Sequence, residues 1–166
     1  MEFYNHTSNW VKGEMFEALF IGVFGLLVMM AAVLFWKIGS TPNAKALLIP
    51  LMVVGLVCAS NGVSMYFSNQ KRLVEYKQSY QQAPETFVKQ EKERVEGFMY
   101  MYKATNIMVT VFMLLSIGAI WFFKNHHIQA IAIALMLFAL SGMVIDYFSK
   151  ERALEYHSRI TTELNH

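Results

Sequence analysis

Cysteine occurs once in this 166-residue chain, at Cys58. A lone cysteine excludes an internal disulfide, a CxxC redox pair and any multi-cysteine metal site. Inside an apolar stretch it reads as a small buried side chain. Charge is scarce too: 16% of residues are Asp, Glu, Lys or Arg, and the formal net charge is +2. That balance, without a basic stripe interleaved with aromatics, excludes nucleic acid as a partner. Gly-x-Ser-x-Gly, Walker-type and dinucleotide loops are all missing, and the expectation is a protein that is not an enzyme. The N-terminal stretch lacks the basic region of a signal peptide, because Glu2, Glu14 and Glu17 face a single Lys12. The apolar run after it is also too long for a signal core and is expected to be a retained first span.

What the chain does have is length in its apolar runs. Residues 18–36, 46–67, 104–123 and 128–148 are each long enough to cross a bilayer, since a helix needs ~20 residues to span ~30 Å of hydrocarbon. The fold expected is therefore an all-α integral membrane protein, a bundle of four transmembrane helices. Gly39, Ser40, Thr41, Pro42 and Asn43 make a dense turn signal between the first two runs, and only residues 124–127 separate the last two. Short connections make antiparallel hairpins.

The central connection, residues 68–103, is longer and charged, and its pattern is helical. Leu73, Tyr76 and Tyr80 form one stripe; Val88, Val95, Phe98 and Tyr102 form another. Apolar recurrence at three and four residues marks one face of a helix. Pro84 suits the first turn of a new helix, with Glu85 beside its positive end. The second helix is expected to run to near Tyr80 and the third to start near Pro84. The fourth should extend through Leu154, His157 and Ile160. All the helices then project beyond the membrane on one side, the side of both termini and the central bend.

Related sequence marks recur in the two halves. Tyr66-Phe67-Ser68 returns as Tyr147-Phe148-Ser149, Lys71 matches Arg152, and Leu73 matches Leu154. Val11-x-Gly13-x-Met15 returns as Val95-x-Gly97-x-Met99. These matches suggest two tandem helical hairpins, residues 1–82 and 83–166, related by an axis along the membrane normal.

All 12 acidic residues and 11 of the 14 basic ones fall on the projecting side. Basic residues near span ends favour the cytoplasm, and Lys12, Lys71, Arg72, Lys103, Lys150 and Arg152 place that side there. The flanks of the first span alone, Lys12 against Lys37 and Lys45, point the other way. The location expected is an inner or plasma membrane with both termini cytoplasmic.

Polar residues gather at the projecting edge of the spans. Glu14 and Glu17 share a helix face, as do Asn61 and Ser64, and Lys103 and Asn106; Asp146 lies near the end of the fourth span. A charge at that depth is costly unless paired or hydrated. The expected cluster is Glu17, Lys103 and Asp146, supported by Asn61, Ser64 and Asn106. It could bind a cation, relay a proton or hold a polar lipid head group. The plainer alternative has Lys103, Glu14 and Glu17 reaching the head groups and Asp146 in a packing network.

None of His6, His126, His127, His157 and His166 lies inside a span. The single Glu-x-x-His spacing, Glu163 to His166, has no second copy, whereas carboxylate-bridged metal bundles use two. No metal, haem or other cofactor is expected; a bound lipid is compatible with the Met- and Phe-rich spans.

Three functions fit. The first is a non-enzymatic interaction or regulatory subunit acting through the projecting helices, with a membrane-protein partner or a second copy. The second is a homo-oligomeric channel or small transporter, weakened by the absence of charge in mid-span. The third is a lipid- or quinone-binding protein.

Overall fold

The computed structural model describes residues 2–164, with side chains from Phe3 onward. Its elements are α1 (Glu2–Ile38), α2 (Pro42–Ala46), α3 (Leu48–Gln82), α4 (Pro84–Phe122) and α5 (His126–Leu164). Four helical stretches are long and apolar enough to cross a membrane. They continue without a break through the charged segments that flank the apolar runs.

Punctuation between the helices follows local chemistry. Ala83 alone separates α3 from α4, and Pro84 opens α4, where its missing N–H would have had no intrahelical partner. The residues read as a turn between the first two runs instead contain the short helix α2. Thr41 caps it by accepting a hydrogen bond from the Ala44 amide at 3.2 Å, and Pro42 begins it. Asn43 of α2 donates to Gln129 of α5 at 3.0 Å, tying this end of the molecule together.

α1 and α3 run antiparallel and meet along an almost side-chain-free seam. A Cβ at Gly25 would lie 2.5 Å from the Ala59 nitrogen, and one at Gly62 would lie 2.5 Å from the Gly22 nitrogen. Gly55 in turn faces Met29 and the Gly25 carbonyl. Small residues let helix backbones approach, which maximises dispersion contact where no hydrophobic drive operates. Leu51, Gly55, Cys58 and Gly62 of α3 are buried at three-four spacing, and Asn69 follows seven residues on the same face, a helix–helix stripe.

Two apolar cores hold the helices to each other, one at each end. At the head, Phe3, Trp10, Val11, Phe87, Val88, Val95, Tyr156 and Ile160 form a buried cluster joined by Leu73, Tyr76, Tyr80 and Phe98. Phe3, Tyr80, Phe87 and Leu164 all belong to this end, so the start of α1, the described end of α5 and the α3–α4 bend lie together. At the opposite end Val28, Ala32, Leu47, Leu51, Ala130 and Ala134 close the second core. Between them the outer surface is apolar, with Phe20, Leu27, Leu114, Trp121 and Phe148 widely exposed.

Candidate functional site

The buried stripe of α1 turns polar where the head meets the apolar body. Glu14 and Glu17 follow Trp10 and Val11 on the same face and are 9% and 7% exposed. Both reach Arg152 of α5: its Nη2 lies 3.3 Å from Glu14 Oε1 and 2.6 Å from Glu17 Oε2. Burial works against the Arg152 charge, and Glu17 and Glu14 more than offset it, so the guanidinium holds its proton more tightly than usual. Glu17 Oε1 and Arg152 Nε are nevertheless buried without a hydrogen-bond partner among the described residues.

Lys103 was the expected cation of this cluster, and Arg152 occupies that role instead. Lys103 is exposed on the outer side of α4, where it lines a surface cavity with Asn106 and Lys150. The reason is register. Tyr102, the preceding residue, is buried and bonded to Ser149 across the α4–α5 interface at 2.9 Å; the next position along the helix is turned about 100° away. Asp146 is half-buried beside Thr105, and its charge reaches Glu17. Asn61 and Ser64 are exposed on α3, while the intervening Gly62 faces α1. The structure thus brings Glu14 and Glu17 together on Arg152, puts Asp146 beside Thr105, puts Lys103 with Asn106, and leaves Asn61 and Ser64 outside these groups.

A second polar assembly lies inside the head, and the sequence reading missed it. Glu91, 3% exposed, accepts from Arg94 Nε at 2.9 Å and from Arg94 Nη2 at 2.6 Å. The Tyr156 hydroxyl is 2.9 Å from Thr7 Oγ1 and 3.0 Å from Glu91 Oε2. The Arg94 guanidinium stands over Trp10 at 4.6 Å from the ring centroid, with Phe98 at 5.4 Å and Tyr76 at 5.7 Å. A charged pair becomes tolerable in a core when its polar atoms are satisfied, and the aromatic faces supply further attraction to the cation. Every long helix contributes: Thr7 and Trp10 from α1, Tyr76 from α3, Glu91 and Arg94 from α4, Tyr156 from α5. Burial and the nearby Glu91 charge push the Tyr76 phenol up to about 12, and the same causes, in the same order, push Tyr156 up.

The sequence carried a trace of this assembly. Glu91 and Arg94 are three apart on one face of α4, and Glu91 lies between the apolar positions Val88 and Val95. A carboxylate in the middle of an apolar stripe was the available signal. His157 pairs with Glu96 at the surface, at 3.1 Å. The Glu163–His166 spacing ends outside the described residues. Among the described residues no group of three or more His, Cys, Asp or Glu could hold a metal ion.

Comparison with protein-family models, curated proteins and solved structures finds no match to this chain.

Proposed function

We propose that this chain is an integral membrane protein that serves as a non-enzymatic interaction or regulatory subunit, with the head as its docking element. The reading takes the apolar body as four transmembrane spans and the two helix pairs, 1–82 and 83–166, as tandem hairpins. It places the head and both chain ends in the cytoplasm, on an inner or plasma membrane.

One observation carries the docking role: the head is cross-braced by a buried ion pair to which all four long helices contribute. Spanning a bilayer requires only apolar length and satisfied backbone bonds. A fully braced, water-facing extension is additional structure, and it holds an outer surface in fixed shape. That surface combines charge with stranded apolar side chains. Val74 is 60% exposed between Lys71, Glu75 and Lys77 on α3, and Leu154 is exposed on α5. A rigid patch of this kind lowers the ordering entropy that binding must overcome.

A photo-crosslinking residue placed at Val74, and separately at Leu154, tests this in native membranes. The expected result is a discrete adduct of constant mass from the head positions and none from Lys124 at the other end. No head adduct would refute the docking role. An adduct of twice the chain mass would identify the partner as a second copy. A reporter enzyme fused after the C-terminus tests the cytoplasmic placement, which fails if the reporter is active outside.

A further inference from the structure

The outer side of the α4–α5 pair carries a cavity of about 520 Å³ unlike the rest of the apolar body. Lys103, Asn106, Ile107, Thr110 and Val111 of α4 line it, with Lys150 of α5. Most of the body's surface is uniformly apolar; here two cations stand at the mouth of an apolar furrow.

Register explains why the two lysines meet. The Tyr102–Ser149 hydrogen bond holds positions 102 and 149 level with each other. The next residue on each helix is a lysine; because the helices run antiparallel the two step to opposite sides of that level, about 3 Å apart along the axis, and both line the cavity. Among the described residues neither lysine forms an ion pair; the pairs formed by α4 and α5 use Glu91, Glu96, Glu155 and the α1 carboxylates with other cations. The acidic cluster around Arg152 is turned inward, on the buried side of the same register. Below the lysines the furrow descends the face of α4. Thr110 has committed its proton to the Asn106 carbonyl at 2.8 Å, leaving Ile107 and Val111 as the apolar floor. From Lys103 to Val111 is about 12 Å along the helix.

We propose that this cavity binds an anionic phospholipid. The phosphate sits between Lys103 and Lys150, the Asn106 amide donates to the head group, and one acyl chain lies along Ile107 and Val111. Charge complementarity selects an anionic over a zwitterionic lipid. The vertical order, cations above an apolar floor that runs into the span, matches a lipid head above its chain. The inference rests on the membrane reading above and is independent of any docking role for the head.

Purified full-length protein, stripped of lipid in mild detergent, is titrated with short-chain phosphatidylglycerol and, separately, phosphatidylcholine, with lipid-bound mass followed by native mass spectrometry. Phosphatidylglycerol should bind preferentially, and each of Lys103→Gln and Lys150→Gln should weaken it about fivefold, the worth of one basic residue against an anionic lipid. The charge-preserving pair Lys103→Arg and Lys150→Arg should retain binding, and Lys124→Gln at the opposite end should change nothing. Both lysines are exposed, so helicity and melting of every variant should match the parent. Equal binding of the two lipids, or unchanged binding in the double glutamine variant, would overturn the proposal. Displacement of the lipid by millimolar inorganic phosphate would also overturn it, because the site would then recognise free phosphate rather than a lipid. Absence of any partner adduct at the head would leave these outcomes unaltered and bear on the docking role alone.

Discussion

The α1–α3 pair and the α4–α5 pair solve the same problem with different chemistry. Within the apolar body α3 buries two positions in each seven residues, Leu51 and Gly55, then Cys58 and Gly62. There α4 buries only one in seven, Val109 and then Ser116. Glycine explains the contrast. Gly25, Gly55 and Gly62 sit backbone to backbone, whereas Gly118 of α4 has open space around it and Gly142 of α5 meets only the Val109 side chain, at 3.9 Å. The first pair is cohesive by backbone approach. The second is held by the Tyr102–Ser149 bond and the aromatic head above, while Ala130 and Ala134 of α5 pack in the opposite core against α1 and α3. The furrow flanked by Lys103 and Lys150 runs along the outer face of α4.

This contrast can be broken at the element that joins the two pairs. Replacing Glu91 by Ala removes the acceptor of both Arg94 bonds and of the Tyr156 phenol and strands a cation among aromatic rings. Breaking a buried pair from one side costs about 3–5 kcal/mol. Thermal unfolding in detergent should show the largest loss for this variant, with the head melting before the α1–α3 seam. Equal melting of both regions would mean that the head does not brace the pairs.

Next in size is the seam itself. Gly62→Val forces α1 and α3 apart, because its Cβ would already lie 2.5 Å from Gly22 nitrogen and 2.6 Å from Ala18 oxygen; overpacking of this kind costs about 1–3 kcal/mol. Gly118→Val on α4 meets nothing within 4 Å and should leave the melting temperature nearly unchanged. Similar losses at both sites would erase the distinction between tight and loose pairs.

Tyr156→Phe is a smaller change with a pH signature. Losing its bonds to Thr7 and Glu91 should cost about 1 kcal/mol near neutral pH. Above pH 10 the sign turns in the variant's favour. The folded-state phenols of Tyr76 and Tyr156 lie above their ordinary value of 10.0. Between that value and the folded one the native state therefore keeps protons that the unfolded chain has released. Stability contributed by these groups is complete below pH 10; that from Tyr76 is lost as pH rises through about 12, and that from Tyr156, raised further, is lost progressively above pH 10, as linkage requires. The variant should lose less stability than the parent over that rise. A parallel decline in both would assign the alkaline sensitivity to other groups.

The smallest expected effect is a gain. Gly97 lies within α4 with nothing inside 4 Å of an added Cβ, and Gly97→Ala should stabilise the helix by up to about 1 kcal/mol. Any destabilisation would show that the head needs glycine there for something other than space.

Much of the architecture was legible from the chain. The apolar runs and their length depend on composition alone, and the stripes Leu73, Tyr76, Tyr80 and Val88, Val95, Phe98 all enter the head core. Periodicity reports which face of a helix is buried because the backbone repeat is fixed. The site was legible in part. Glu14, Glu17 and Asp146 could be placed at one depth from sequence, but which cation pairs with the two glutamates could not. Lys103 and Arg152 both lie at the right height, and choosing between them needs the rotation of α4 and α5 about their own axes, set by the Tyr102–Ser149 contact. For the same reason the Glu91–Arg94 assembly stayed hidden until Trp10, Tyr76 and Tyr156 closed around it from three other helices.

By itself the sequence determined four helices of bilayer-crossing length, their charged extensions, the break before Pro84 and a short break between the last two runs, read at 124–127 and found at 123–125, because length, periodicity and turn chemistry are local properties. Only the tertiary structure decided that α1 and α3 touch through their backbones while α4 and α5 leave a furrow, and that Arg152 turns inward while Lys103 and Lys150 face out. Helix rotation and approach distance are set by contacts between residues far apart in the chain, and no single segment carries that information.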